Sequence, residues 1–145
     1  MKNRNIFLIL LFCCLSCDTC QQQEDINFDE SYKISSYLDK DLKILTINVK
    51  LKKNFHAYGV GEKIGKPVSI EIKPDNGYAA AGEALLPEGS IKKLTKNRQS
   101  VVINGEFNIR QPLKMGSGLG KALLHMQICT ASFCDRPRIH EIIFK

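Results

Sequence analysis

Leu45-Thr46-Ile47-Asn48-Val49-Lys50-Leu51 alternates apolar and polar residues at every step. A side-chain period of two puts the four apolar residues on one face of an extended chain, so the stretch reads as a strand with one buried face. The same period returns elsewhere. Val68, Ile70 and Ile72 alternate with Ser69 and Glu71. Val101, Ile103, Phe107 and Ile109 share one parity across Gly105, and Ala122, Leu124, Met126 and Ile128 form another apolar face. Ile139, Ile142, Ile143 and Phe144 close the chain. No stretch keeps the spacing of an amphipathic helix, and no internal repeat of roughly 20–50 residues is visible. Turn signals punctuate these runs at Asp39-Lys40-Asp41, Pro74-Asp75-Asn76-Gly77, Pro87-Glu88-Gly89 and Met115-Gly116-Ser117-Gly118. Many short alternating strands so punctuated predict an all-β, antiparallel β-sandwich, with a small eight-stranded barrel as the alternative.

The 145 residues are 43% hydrophobic and 25% charged. That composition suits one folded domain and excludes a collagen-like or wholly disordered chain. The only long apolar run is Ile6 to Leu15. It is too short for a helix to cross a hydrocarbon core about 30 Å thick, which excludes a polytopic membrane protein.

Lys2 and Arg4 precede the apolar stretch Ile6 to Phe12, and Leu15-Ser16-Cys17 sets a small residue directly before a cysteine. This is the order of an export signal, and its Leu-Ser-Cys end resembles a bacterial lipobox. Residues 1–16 are expected to be a signal peptide and Cys17 the lipidated N-terminus. Residues 17–25, with Gln21-Gln22-Gln23 and the odd thiol Cys20, are expected to be a lipid-anchored tether, and 26–145 the folded domain. Plain secretion with cleavage nearby is the alternative. The expected location is exported and periplasmic, with the lipid anchor holding the domain to a membrane. Loss of residues 1–16 leaves 19 basic against 15 acidic residues. The basic residues are spread along the sequence, without the concentrated patch that nucleic-acid binding needs, so no nucleic-acid partner is expected.

Of the six cysteines, four lie in the first twenty residues. Cys129 and Cys134 are the pair inside the expected domain, and they frame Thr130-Ala131-Ser132-Phe133 between two strands. A hairpin-sized loop brings such a pair near the spacing that an S–S bond needs, and export permits the bond to persist. So small a closed loop stabilises by only about 2 kcal/mol. Spacing alone leaves a structural staple, a redox pair and a metal site open.

His125-Met126-Gln127-Ile128-Cys129, followed by Phe133-Cys134-Asp135-Arg136-Pro137, resembles the active-site segment of the DsbD N-terminal domain family. Those are the exported domains of bacterial thiol:disulfide interchange proteins. A second segment, Asn54-Phe55-His56-Ala57-Tyr58-Gly59 with Gly65-Lys66-Pro67-Val68 after it, resembles the family's aromatic-His-x-Tyr and Gly-x-Pro segments in the same order. The resemblance spans Asp41 to Phe144 and implies an immunoglobulin-like sandwich. It further implies that Cys129 and Cys134 are a redox-active disulfide, with His56, Tyr58 and Phe133 beside it and Cys134 facing the partner. The implied partners are a thioredoxin-like protein or domain, a membrane electron-transfer partner on a separate chain, and oxidised exported clients. No cofactor is implied. The family's cap loop, whose aromatic residue covers the disulfide, should follow Leu86-Pro87-Glu88-Gly89. Ser90 to Ser100 has no aromatic residue there and carries Lys92, Lys93, Lys96 and Arg98 instead.

Two other functions remain to be weighed. One is a binding module of the same fold with a purely structural bridge. The other is a copper-binding lipoprotein using His125, Met126 and Cys129 with His140. Alternation argues against copper, because Met126 points away from the face shared by His125 and Cys129. No metal site is therefore expected. Gly116-Ser117-Gly118-Leu119-Gly120 joins two strands and opens no helix, so it reads as a turn rather than a phosphate loop.

Overall fold

The computed structural model describes residues 26–145, so the expected leader 1–16, the Cys17 anchor and the 17–25 tether lie outside the described residues. Strands β1 (Tyr32–Asp39), β2 (Ile44–Leu51), β3 (His56–Tyr58), β4 (Ser69–Lys73), β5 (Ala79–Ala80) and β6 (Ser90–Thr95) make the first half. The second half holds β7 (Arg98–Asn104), β8 (Glu106–Lys114), β9 (Gly120–Met126), β10 (Ile128–Cys129) and β11 (Arg138–Phe144). Among the described residues the only helical turns are 3-10 turns at Phe28–Glu30 and Asp75–Gly77.

The strands form three antiparallel sheets, ordered β1-β2-β8-β5, β11-β9-β4 and β10-β3-β7-β6. The alternation predicted over residues 45–51 is the inner face of β2. Leu45, Ile47 and Val49 are fully buried there, and Ile47 stands directly opposite Ile109 of β8. Across the core lie Ala122, Leu124 and Met126 of β9 with Ile142 and Phe144 of β11. Each fully buried Leu or Ile removes enough apolar surface from water to contribute about 1.5–3 kcal/mol. The antiparallel sandwich is thus the observed architecture, and its sheets keep open edges where a barrel would close.

Two segments depart from the sequence-based reading. The run from Val101 to Ile109 is two strands, because Gly105 turns the chain at φ 72° and sends β7 and β8 into different sheets. Only glycine takes that backbone without a Cβ penalty. Ile103 and Phe107 still reach one core, which is why their parity looked continuous. The segment Ser90 to Ser100, expected as a cap loop, instead forms β6 and the start of β7, a hairpin on the edge of the third sheet.

Candidate functional site

The site begins where one strand changes sheets. β9 pairs with β4 and β11 as far as Met126, and after Gln127 the same chain pairs as β10 with β3. A backbone that leaves one ladder for another needs new hydrogen-bond partners. Gln127 supplies them with its amide. Its Oε1 accepts from the Lys66 amide at 2.9 Å, and its Nε2 donates to the Asp135 carbonyl at 2.9 Å. The Asp135 amide donates to the Ile128 carbonyl at 2.9 Å, which closes the neck of the cysteine loop. Arg138 clamps the same neck from outside, donating from Nε to the Asp135 carboxylate and from Nη1 to that of Asp29.

Within the loop the Thr130 amide donates to the Phe133 carbonyl at 2.7 Å, and Thr130 Oγ1 accepts from the amides of Ser132 and Phe133. Cys129 and Cys134 face each other across the neck with Cα atoms 4.0 Å apart and are joined by a disulfide. Their environments differ. Cys129 is 0% exposed, packed with Tyr58 and Val102. Cys134 is exposed, and the ring of Phe133 beside it is 57% exposed.

Tyr58 comes from β3, the neighbour of β10. Its hydroxyl lies 3.4 Å from both sulfurs. A disulfide carries no S–H, so the hydroxyl is the donor in either contact. Burial raises the Tyr58 pKa, and nearby Glu62 raises it further. The phenol therefore keeps its proton through the neutral range. Its ring lies over Gly65, where a Cβ would stand 1.9 Å from Tyr58 Cε2. The glycine in the Gly-x-Pro segment thus makes room for the tyrosine.

Sequence reasoning missed Glu62. Its Oε1 accepts from the amides of Lys63, Ile64 and Gly65, and its Oε2 accepts from Ser100 Oγ and the Val101 amide, both at 2.6 Å. One carboxylate ties the loop that carries Gly65 to β7. Burial alone would raise its pKa, but the bonds from Ser100, Ile64, Val101 and Gly65 outweigh that and hold it below the ordinary value. Nothing in Gly59-Val60-Gly61-Glu62-Lys63 signals this, because the donors come together only in three dimensions. Gln127 did carry a signal, as the Gln before the first cysteine in the resembling segment.

His56 stands directly opposite Cys129 in the β10–β3 ladder and edge-on to the Tyr58 ring, with centroids 5.6 Å apart. Neither ring nitrogen makes a hydrogen bond to a sulfur in this geometry. Burial lowers its pKa, and Lys92 lowers it further against a smaller opposing effect from Glu62. The imidazole is neutral at pH 7.

His125, Met126 and Cys129, the alternative copper set, do not converge. Met126 lies in the main core, whereas His125 Nε2 faces Glu71 at 3.9 Å and Cys129 packs with Tyr58. His140 on β11 stacks edge-on against Tyr32 with centroids 5.3 Å apart, outside the cysteine cluster.

Neither a protein-family model nor a curated protein matches the sequence. Two solved structures are similar to it. The DsbD N-terminal domain of Neisseria meningitidis, in the reduced form, aligns with a TM-score of 0.61 over 81% of this chain and 87% of that one, at 13% identity. The N-terminal periplasmic domain of ScsB from Proteus mirabilis aligns with a TM-score of 0.56 over 81% of this chain and 48% of that one, at 12% identity. In fold, this chain is similar to the N-terminal domains of DsbD and ScsB, and it carries a disulfide between Cys129 and Cys134.

Proposed function

We propose that this chain is an exported thiol–disulfide exchange domain that carries electrons through Cys129 and Cys134. One observation carries the reading: the bridge joins an exposed cysteine to a buried one, with the Tyr58 hydroxyl 3.4 Å from each sulfur. Access directs an incoming thiolate to Cys134. The new S–S bond forms to Cys134, the old one breaks, and its electron pair leaves on Cys129. The Tyr58 hydroxyl donates a hydrogen bond to that buried thiolate, which would otherwise lose its solvation. The partner's second thiolate then attacks its own sulfur in the mixed disulfide, forms the partner's disulfide and releases Cys134 as a thiolate. Protons from solvent complete the two-electron, two-proton reduction. Run backwards on an oxidised client, the same steps pass the electrons on.

The partners that fit are a thioredoxin-like protein or domain and oxidised exported clients, with a membrane electron-transfer partner as the source. The fold likeness to periplasmic domains supports export, and the Leu15-Ser16-Cys17 segment supports a lipid anchor at Cys17. Mass spectrometry of the mature N-terminus tests the anchor, and an unmodified terminus beyond Cys20 would remove it.

Trapping tests the exchange. Cys129→Ser leaves Cys134 as a lone thiol, so it should displace thionitrobenzoate from a thioredoxin-like protein whose single remaining cysteine carries that leaving group. The mixed disulfide should then accumulate, because neither side keeps a second thiol to resolve it. Cys134→Ser should trap far less, because Cys129 is buried. If neither variant traps, and the wild-type bridge resists reduced thioredoxin, the bridge is a structural staple.

A further inference from the structure

Basic residues that are scattered in the sequence meet beside the cysteine loop. A groove of about 770 Å³ runs along the cysteine loop, lined by Thr130 to Phe133 together with Lys52, Lys53 and Lys92. Lys92 also lines the smaller cleft that holds Tyr58 and Cys134. The one carboxylate in the groove, Glu30, stands 3.8 Å from Lys52. Lys53 and Lys92 have no carboxylate within ion-pair distance among the described residues. Asp29 and Asp135 nearby are both paired with Arg138, whereas Glu62, held by five neutral donors, keeps its negative charge and offsets one of the lysines. Arg136, exposed and two residues beyond Cys134, adds a further positive charge. The surroundings of the reactive sulfur are therefore positive, with the exposed Phe133 ring as an apolar anchor at the lip.

We infer that the groove formed by Lys53, Lys92 and Phe133 selects exchange partners whose reactive cysteine is flanked by acidic residues. This rests on the exchange reading above and names the partner class for the same site. A positive field raises the local concentration of an anionic partner and speeds encounter by about 10- to 1000-fold at low salt. Its reach shrinks to about 8 Å at physiological ionic strength, which still covers a peptide segment lying in the groove. A cationic partner would meet uncompensated like charge there and be rejected.

The test uses two monothiol peptides of equal length, one with two Glu and one with two Lys flanking a central Cys. Each rate of bridge reduction is corrected to the peptide's thiolate concentration. At low salt the acidic peptide should react about tenfold faster than the basic one, and the gap should close as salt is raised toward 1 M. Lys53→Glu with Lys92→Glu should abolish or invert the preference, read as the ratio of the acidic-peptide rate to the basic-peptide rate, in which any effect common to every attacking thiolate cancels. Equal rates for the two peptides at low salt, or a preference insensitive to salt, would overturn the inference while leaving exchange intact. A bridge that 2-mercaptoethanol cannot reduce without unfolding would instead overturn the exchange reading, and this inference with it. A preference seen equally with duplex DNA as a competitor present would support a protein partner. Loss of the preference through tight DNA binding would overturn it in favour of a general polyanion surface.

Discussion

Gly65 lies against the ring of Tyr58 so closely that a Cβ at residue 65 would stand 1.9 Å from the ring's Cε2. The ring is buried between β3 and the cysteine loop and cannot retreat without moving its hydroxyl from the sulfurs. Gly65→Ala should therefore cost about 1–3 kcal/mol by overpacking and slow exchange as well. Chemical denaturation and the rate of reduction by thioredoxin read the two effects. A variant that loses stability but exchanges at the wild-type rate would show that the hydroxyl position is unimportant.

Tyr58→Phe separates the hydroxyl from the ring. The ring's packing stays, so the fold should persist. A hydrogen bond to a charged group contributes about 1.5 kcal/mol or more, so losing it at the developing Cys129 thiolate should slow exchange about tenfold. Stopped-flow reduction checks this, and an unchanged rate would remove Tyr58 from the chemistry.

Glu62→Gln keeps the shape of the loop anchor but loses its charge and turns an amide NH₂ toward donors. With two donors at 2.6 Å on one oxygen, the mismatch should cost about 1–3 kcal/mol. The loss should be felt at the Gly65 loop, so amide exchange at Ile64 and Gly65 should accelerate before that of the β2 core.

Acid should destabilise the wild type in two stages. His56 and His140 have pKa values lowered first by burial, and then by Lys92 and Arg138 respectively. His140 Nε2 is buried with no hydrogen-bond partner among the described residues. The unfolded chain therefore takes up these protons first, and stability falls as pH drops below about 6.5 toward the folded pKa values. Glu62, also depressed, contributes stability that is present above about 4.5 and lost as pH falls through its folded pKa. Melting curves from pH 8 to pH 3 test this, and Glu62→Gln should flatten the lower stage only.

Reduction should leave the sandwich folded. The bridge closes a loop of only four intervening residues at the edge of the third sheet, whereas the main core needs neither sulfur. A loss of about 2 kcal/mol corresponds to a fall in Tm of about 10 °C or less for a domain of this size. Loss of cooperative unfolding on reduction would mean that the bridge is structural.

The period-two runs determined the all-β architecture, because side-chain alternation is a local property that survives any arrangement of the strands. The same holds for the turn at Asn76-Gly77, where positive φ selects residue type. The cysteine loop was also legible, since its partners are five residues apart. The remaining features depended on tertiary structure. Gly105 divides an apparently continuous run between two sheets, and the expected cap segment pairs as β6 because β7 offers it a partner. The carboxylate of Glu62 finds donors from residues 63–65 and 100–101, and the hydroxyl of Tyr58 meets a sulfur 76 residues away. Lys53 and Lys92, unremarkable in a chain of dispersed charges, become one groove only when β3, β6 and the cysteine loop are brought together. Pattern along a chain fixes which face is buried. Pairing between distant strands decides which side chains share a site, because hydrogen-bond register and core packing are collective properties of the folded sheets.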